Sequence, residues 1–184
     1  MMDVSALRNV SHLCLANCEG LTDVNCLGGV HTLDLSSCDN ITDVSGLGGV
    51  KRLNLSCCRG IADVSALGSV QTLSLLCCTA VEDVSSLGGV HTLCLEKCSN
   101  ITDISALGTV VNLNVRGCNL VTDYAAVRSV ENLMCCGDAQ HGLYWELRWD
   151  DFFLYNSNCV LFRVISDRYL VPSDLWYDGT MAQW

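Results

Sequence analysis

Hydrophobic positions along the chain recur every twenty residues. Each period is built around a Leu-x-Leu pattern, as at Leu33 and Leu35, with further apolar residues at fixed intervals after it. The same register covers residues 1–137 without insertion or deletion. Because a fixed period of this length is typical of solenoid proteins, the chain is predicted to wind through about seven equivalent coils.

The Leu-x-Leu pattern predicts a short strand in every coil. One variable residue separates the two leucines, so the leucine side faces the core and the other side faces outward. We call the outward positions and those just beyond them the strand face. We expect it to bind a protein partner of unknown identity through Thr32, Asp34, Arg52, Asn54, Thr72, Thr92, Glu96, Asn112, Asn114 and Arg116.

A longer motif follows each strand, and it occurs about six times in strict register. The copy in the second period reads Leu33-Asp34-Leu35-Ser36-Ser37-Cys38-Asp39-Asn40-Ile41-Thr42-Asp43. This motif resembles the leucine-rich repeat of the cysteine-containing type. The short period is also similar to that of arrays encoded by large DNA viruses of amoebae.

The resemblance implies a mostly β member of the α/β-solenoid class. We expect a right-handed solenoid with a parallel sheet on its concave side. Residues 43–49, which return the chain to the next strand, have room for one helical turn at most. The convex side is therefore predicted to be thin, and the solenoid to be flatter than the horseshoes of the family.

Two further columns are predicted to be structural ladders. Cysteine recurs at Cys18, Cys38, Cys58, Cys78, Cys98 and Cys118, where the family buries a polar side chain against loop backbone; a buried thiol behaves as a small hydrophobe and weak donor. Aspartate recurs at Asp23, Asp43, Asp63, Asp83 and Asp103, ahead of each helical turn, and is predicted to act as an N-cap. Calcium is the disfavoured alternative, because the glycine-rich pattern of calcium-binding solenoids is missing.

Four cysteines lie close together on adjacent coils, namely Cys57, Cys58, Cys77 and Cys78. Their positions allow a disulfide or a metal site, but the favoured interpretation is that they are structural thiols. No other set of residues suggests a metal site, a cofactor site or a catalytic group. The chain is therefore predicted not to be an enzyme.

Composition narrows the function further. The net charge is −10, and seven of the twenty acidic residues belong to the aspartate column, which leaves thirteen acids against ten bases. Without a basic stripe, nucleic acid is not an expected partner. No apolar run reaches the roughly 18 residues of a membrane span, and no signal peptide precedes the first period. Fourteen cysteines without a secretory signal favour a reducing, intracellular setting, with the interior of a virus particle as an alternative.

Residues 138–184 form a second, non-repeat segment that holds eleven of the twelve aromatic residues. Since an open solenoid end exposes core leucines, this segment is predicted to be a β-rich cap. The alternative is a docking surface made of Trp145, Trp149, Phe152, Phe153 and Trp176. The uncapped N-terminal edge is a second candidate for self-association.

The sequence thus predicts a non-enzymatic protein-interaction module that uses the strand face, the aromatic segment, or both. The first alternative is a structural component of a larger assembly, such as a virus particle, held through its ends and tail. An enzyme or a metal-binding protein is the distant alternative.

Overall fold

The computed structural model describes residues 3–135, which form a regular solenoid with one strand per coil. The seven strands make a single parallel sheet in chain order, and each residue pairs with the one twenty positions later. The strands are β1 (His12–Cys14), β2 (Thr32–Asp34), β3 (Arg52–Asn54), β4 (Thr72–Ser74), β5 (Thr92–Cys94), β6 (Asn112–Asn114) and β7 (Asn132–Met134). The mostly β solenoid with about seven coils is confirmed.

On the side opposite the sheet, each coil contains only a short 3-10 helix. These helices are Ser5–Leu7, Asn25–Leu27, Ser45–Gly49, Ser65–Leu67, Ser85–Gly89, Ser105–Thr109 and Ala125–Val127. The residues described contain no α-helix, because the segment between aspartate and the next valine is too short for one. The predicted thin convex side is therefore present.

Six apolar columns fill the space between the sheet and the 3-10 helices. In one coil they are Leu33, Leu35, Ile41, Leu47 and Val50, all at most 1% exposed, with Val44 beside them. Burying a side chain of this size stabilises the fold by about 1.5–3 kcal/mol relative to leaving it exposed. The three following coils bury the equivalent residues, and the core is one continuous column rather than separate clusters.

The chain turns sharply after each of the first six strands through a residue with positive φ. In five coils a non-glycine residue holds this conformation, with φ between 59° and 63°: Asn17, Ser37, Cys57, Cys77 and Lys97. Gly117 occupies the same position in the next coil at φ 75°. This turn directs the following ladder cysteine into the core, where Cys38 and Cys58 are fully buried.

Glycine in the 3-10 helices allows neighbouring coils to approach closely. A Cβ built on Gly68 would overlap the carbonyl oxygen of Ser86, and one on Gly88 would lie 2.5 Å from the carbonyl oxygen of Ala106. Real Cβ atoms do not come this close, so a larger residue would force the backbones apart. The recurring glycines therefore set the spacing on the convex side.

Residues 138–184 lie outside the described part of the chain, and so do the predicted cap and docking residues within them. The boundary at residue 137 stays a prediction. Within residues 3–135, no helix has the length and apolar character needed to cross a membrane.

We predict that Gly68→Ala lowers the free energy of unfolding by about 2 kcal/mol, because inserting a methyl group into a packed interior costs typically 1–3 kcal/mol. Gly20→Ala is the matched control, since nothing lies within 4 Å of a Cβ at that position. Urea unfolding followed by circular dichroism measures both. Equal midpoints for the two variants would contradict the close-packing account.

Candidate functional site

The strand face contains two columns of outward side chains, from the first and third residues of each strand, together with the positions just beyond them. The pairing places Thr32 against Arg52 and Asp34 against Asn54. The first column carries the predicted residues Thr32, Arg52, Thr72, Thr92 and Asn112, and the second carries Asp34, Asn54 and Asn114. Glu96 and Arg116 lie two residues beyond β5 and β6. The structure thus brings the ten predicted residues onto one surface.

In the C-terminal half of the strand face, polar side chains bond to one another. The Asn132 amide donates to Asn112 Oδ1 at 2.7 Å, and the Asn112 amide donates to Thr92 Oγ1 at 2.8 Å. The Asn114 amide donates to Glu96 Oε2 at 3.0 Å. These contacts continue the backbone ladder on the outside of the sheet. They hold the side chains in place rather than leaving them open to a partner.

Exposure falls along the column of third strand residues, while in the column of first residues only Thr92 is buried. His12 and Cys14 in β1 are exposed, whereas Thr92 is 6% and Asn114 3% exposed. Met134 in β7 is only 2% exposed. Thr92 and Asn114 are therefore less accessible than the strand pattern predicts. The pattern misses this because it treats all coils as equivalent.

On β2, β3 and β4 every outward side chain of the strand face is half-exposed, whereas β5, β6 and β7 each bury at least one of theirs. Asp34 Oδ1 accepts a bond from the backbone N–H of Ser36 at 2.9 Å, and Asn54 Oδ1 accepts the equivalent bond from Ser56 at 3.0 Å. The Ser56 hydroxyl also lies 2.8 Å from that of Ser74 in the next coil. Carboxylate, amide and hydroxyl groups are therefore presented by short strands in fixed orientations.

The cysteine ladder is a chain of thiol-to-carbonyl hydrogen bonds. The Cys58 thiol donates to the carbonyl of Leu35 at 3.1 Å, and Cys78 donates to Leu55 at the same distance. Cys38, Cys98 and Cys118 repeat the contact at 3.0–3.1 Å. Burial raises the pKa of Cys58 to about 12 and also raises the pKa of Cys38, Cys78 and Cys98, so these four thiols stay protonated at neutral pH. Cys18, in the first coil, is only half-buried.

The aspartate ladder caps the 3-10 helices, but one residue earlier than predicted. Asp43 Oδ1 accepts the backbone N–H of Ser45 at 2.9 Å, and Ser45 is the first residue of its helix. The residue in the N-cap position is Val44, so the carboxylate acts from the position before it. The bond recurs in every coil at 2.8–3.1 Å.

These bonds lower the pKa of several exposed ladder carboxyls. For Asp83 the backbone N–H of Ser85 is the main cause, followed by the Ser85 side chain, while desolvation acts weakly in the other direction. The pKa of Asp63 is also lowered, chiefly by the side chain of Ser65 and then by its backbone N–H, while desolvation and the carboxylates of Asp43 and Asp83 act in the opposite direction. Among residues 3–135, no three His, Cys, Asp or Glu side chains are arranged to hold a metal ion.

We predict that acid weakens the array through this ladder. A carboxyl whose pKa is lower in the folded chain than its ordinary value of 3.8 stabilises the fold fully above that value, and this contribution is lost as the pH falls through the folded pKa. Urea midpoints measured from neutral pH down to about pH 2 should therefore fall below about pH 4. In Asp63→Asn/Asp83→Asn, whose amide oxygens accept the same bonds without titrating, the fall should be smaller. An unchanged pH profile in that variant would contradict the role given to the ladder.

Solved structures that are similar to this chain include two internalins from Listeria monocytogenes. Internalin C2 matches with a TM-score of 0.52 at 24% identity, over 72% of this chain and 65% of that chain. The internalin InlF matches with a TM-score of 0.44 at 20% identity, over 73% of this chain and 50% of that one. A functional domain of InlJ from the same bacterium, which includes a cysteine ladder, matches with a TM-score of 0.26 at 16% identity, over 81% and 48%.

No protein-family model matches the chain, and no curated protein matches it. The chain spans 65% of internalin C2 and about half of the other two proteins. The likeness to internalin C2 concerns the fold, and together with the seven parallel strands and the cysteine ladder it confirms the leucine-rich-repeat architecture. The similarity to viral arrays stays a prediction.

Proposed function

We propose that the chain is a protein-interaction module whose binding surface is the part of the strand face on β2, β3 and β4. The observation that carries the proposal is that every outward side chain of β2, β3 and β4 is half-exposed, whereas β5, β6 and β7 each bury at least one. Asp34, Arg52, Asn54 and Thr72 are half-exposed, whereas Thr92 and Asn114 are buried. A partner therefore has access to the first group of side chains and little access to the second.

The rigidity of the array supports this choice. The leucines behind the half-exposed side chains, Leu33, Leu53 and Leu73, are at most 3% exposed, and each strand is bonded to a strand on both sides. A surface that is already ordered loses little conformational entropy when it binds. Asp34 and Arg52 add opposite charges on neighbouring strands, which favours a polar partner of complementary pattern.

The dimensions of the sheet indicate the size of the contact. Three strands about 4.8 Å apart give a face about 15 Å long, and strands of this length make it about 10–15 Å wide. That area is below the roughly 800 Å² per partner of a standard interface. We therefore propose an extended polypeptide segment or a loop as the partner, with flanking turns such as the one at Lys51 completing the contact.

A reducing compartment fits this role. All twelve cysteines within residues 3–135 are free thiols, and five of the six ladder cysteines are buried donors. A second candidate function is a fixed component of a larger assembly. It is favoured by two exposed apolar side chains away from the strand face, Val10 at 38% and Leu120 at 53% exposure.

Site-specific photo-crosslinking tests the proposal. A photoreactive amino acid replaces Asn54 on the strand face in one protein and Ser65 on the opposite side in another, and each protein is irradiated in extract of its source cells. We expect one discrete protein adduct from position 54, reduced at least fivefold by Arg52→Ala, which removes a central charged anchor. Arg59→Ala is the matched control, because Arg59 is exposed and lies outside the strand face.

Adducts from position 65 alone would contradict the proposed surface and favour the assembly role. An adduct from position 54 that Arg52→Ala and Arg59→Ala reduce equally would also contradict it. In that case the loss would follow from the overall charge rather than from the strand face.

A further inference from the structure

The positive-φ turn that follows each strand brings two cysteines together on adjacent coils. Cys57 has φ 63° and Cys77 has φ 60°. Because the two residues share this backbone conformation, their side chains point in the same direction. The Cys57 N–H donates to the carbonyl of Leu76 at 2.7 Å, and the Cys77 N–H donates to Glu96 at 2.8 Å. These bonds place the two turns one above the other.

The spacing of the coils suits a disulfide. Neighbouring strands lie about 4.7–4.9 Å apart, and the Asn54–Ser74 pair three residues earlier shows that β3 and β4 are in register. Disulfides join residues whose Cα atoms are about 4.4–6.8 Å apart.

The other two cysteines of the four-cysteine cluster are directed elsewhere. Cys58 and Cys78 are fully buried, and their thiols donate to the carbonyls of Leu35 and Leu55. Cys57 and Cys77 are half-exposed and open to a small reagent. The structure therefore divides the cluster into an inner pair that supports the core and an outer pair at the surface.

We propose that Cys57 and Cys77 form a reversible disulfide that joins the third and fourth coils, by exchange with a low-molecular-weight disulfide such as oxidised glutathione. One thiolate attacks the glutathione disulfide, which forms a mixed disulfide and releases one glutathione thiolate. The second cysteine, as its thiolate, then attacks the protein sulfur of the mixed disulfide and releases the second glutathione. Two protein thiols are oxidised, one glutathione disulfide is reduced to two thiols, and the protons pass to the thiolates that leave.

The position of this pair gives the disulfide a structural consequence. Cys57 directly follows Ser56, whose hydroxyl lies 2.8 Å from that of Ser74 across the strand face. A covalent bond at this point ties β3 to β4 and closes a loop of about twenty residues. Burial and the neighbouring Cys57 raise the pKa of Cys77, whereas Lys97 acts in the opposite direction, so exchange is expected to be faster above neutral pH.

Mass spectrometry of the full chain tests the proposal. The folded protein is equilibrated with reduced and oxidised glutathione at graded ratios, quenched in acid, alkylated and digested with trypsin. Cleavage after Arg52, Arg59 and Lys97 separates Cys57 from Cys77, in residues 53–59 and 60–97. We expect a crosslink between these peptides in monomeric protein, lost in Cys57→Ser and in Cys77→Ser and kept in Cys26→Ser, whose cysteine is exposed elsewhere.

Serine suits the test because Ser37 holds the same turn conformation, at φ 59°. A second measurement uses the unaltered chain: its urea midpoint should be higher after equilibration with oxidised glutathione and return on reduction. The proposal is overturned if the most oxidising ratio gives only mixed disulfides or free thiols. A crosslink that persists in Cys57→Ser or Cys77→Ser, or one that joins two chains, overturns it equally.

Discussion

Hydrogen bonds between the backbones of successive coils fix the spacing on which the other contacts of the array depend. Leu35 donates to Asn54, Ser37 donates to Ser56 and Lys51 donates to His31, at 2.8–3.1 Å, and the same bonds recur in later coils. A coil of twenty residues contains three strand residues and one 3-10 helix, too little to hold itself together. Its stability must come from the coils on either side.

That spacing explains the two ladders and the glycines together. A thiol reaches the carbonyl of the preceding coil only if the coils keep a constant distance, as the uniform 3.0–3.1 Å contacts show. On the opposite side, Gly68 lets the 3-10 helices keep the same distance, while aspartate supplies the acceptor that each helix start needs. The strand face then forms as a consequence of the stacking of coils, and the residue types at its outward positions can differ from one coil to the next.

Much of this could be predicted from the sequence because period and burial are linked. The alternation at Leu33 and Leu35 correctly predicts the strand, its direction and its buried side, and the regular Cys58 column correctly predicts structural thiols. The glycines were not predicted to be contact points. A glycine in a turn pattern indicates conformational freedom, and only coordinates show that Ser86 leaves no space for a Cβ at Gly68.

The candidate site was harder to predict in detail. All ten outward residues lie where the pattern places them, yet Thr92 and Asn114 are buried and Glu96 is bonded to Asn114. The repeat pattern assigns the same environment to every coil, so it predicts no difference in side-chain exposure between the strands of the strand face. Spacing does assign Cys58 and Cys78 to the buried ladder, but the direction of the Cys57 and Cys77 side chains depends on the positive-φ turn, which spacing does not reveal.

The claim that each twenty-residue coil is an interchangeable unit held by its neighbours has a direct test. Deleting residues 61–80 removes one full period and joins Gly60 to Val81, so that the register of every later column is kept. Deleting residues 61–70 removes half a period. Outward residues of the later coils are then in register with core residues of the earlier coils. Circular dichroism with urea unfolding should show a folded, cooperative array of somewhat lower midpoint for the first deletion, and loss of the cooperative transition for the second. If both deletions unfold the protein, or if both leave it equally stable, the account is contradicted.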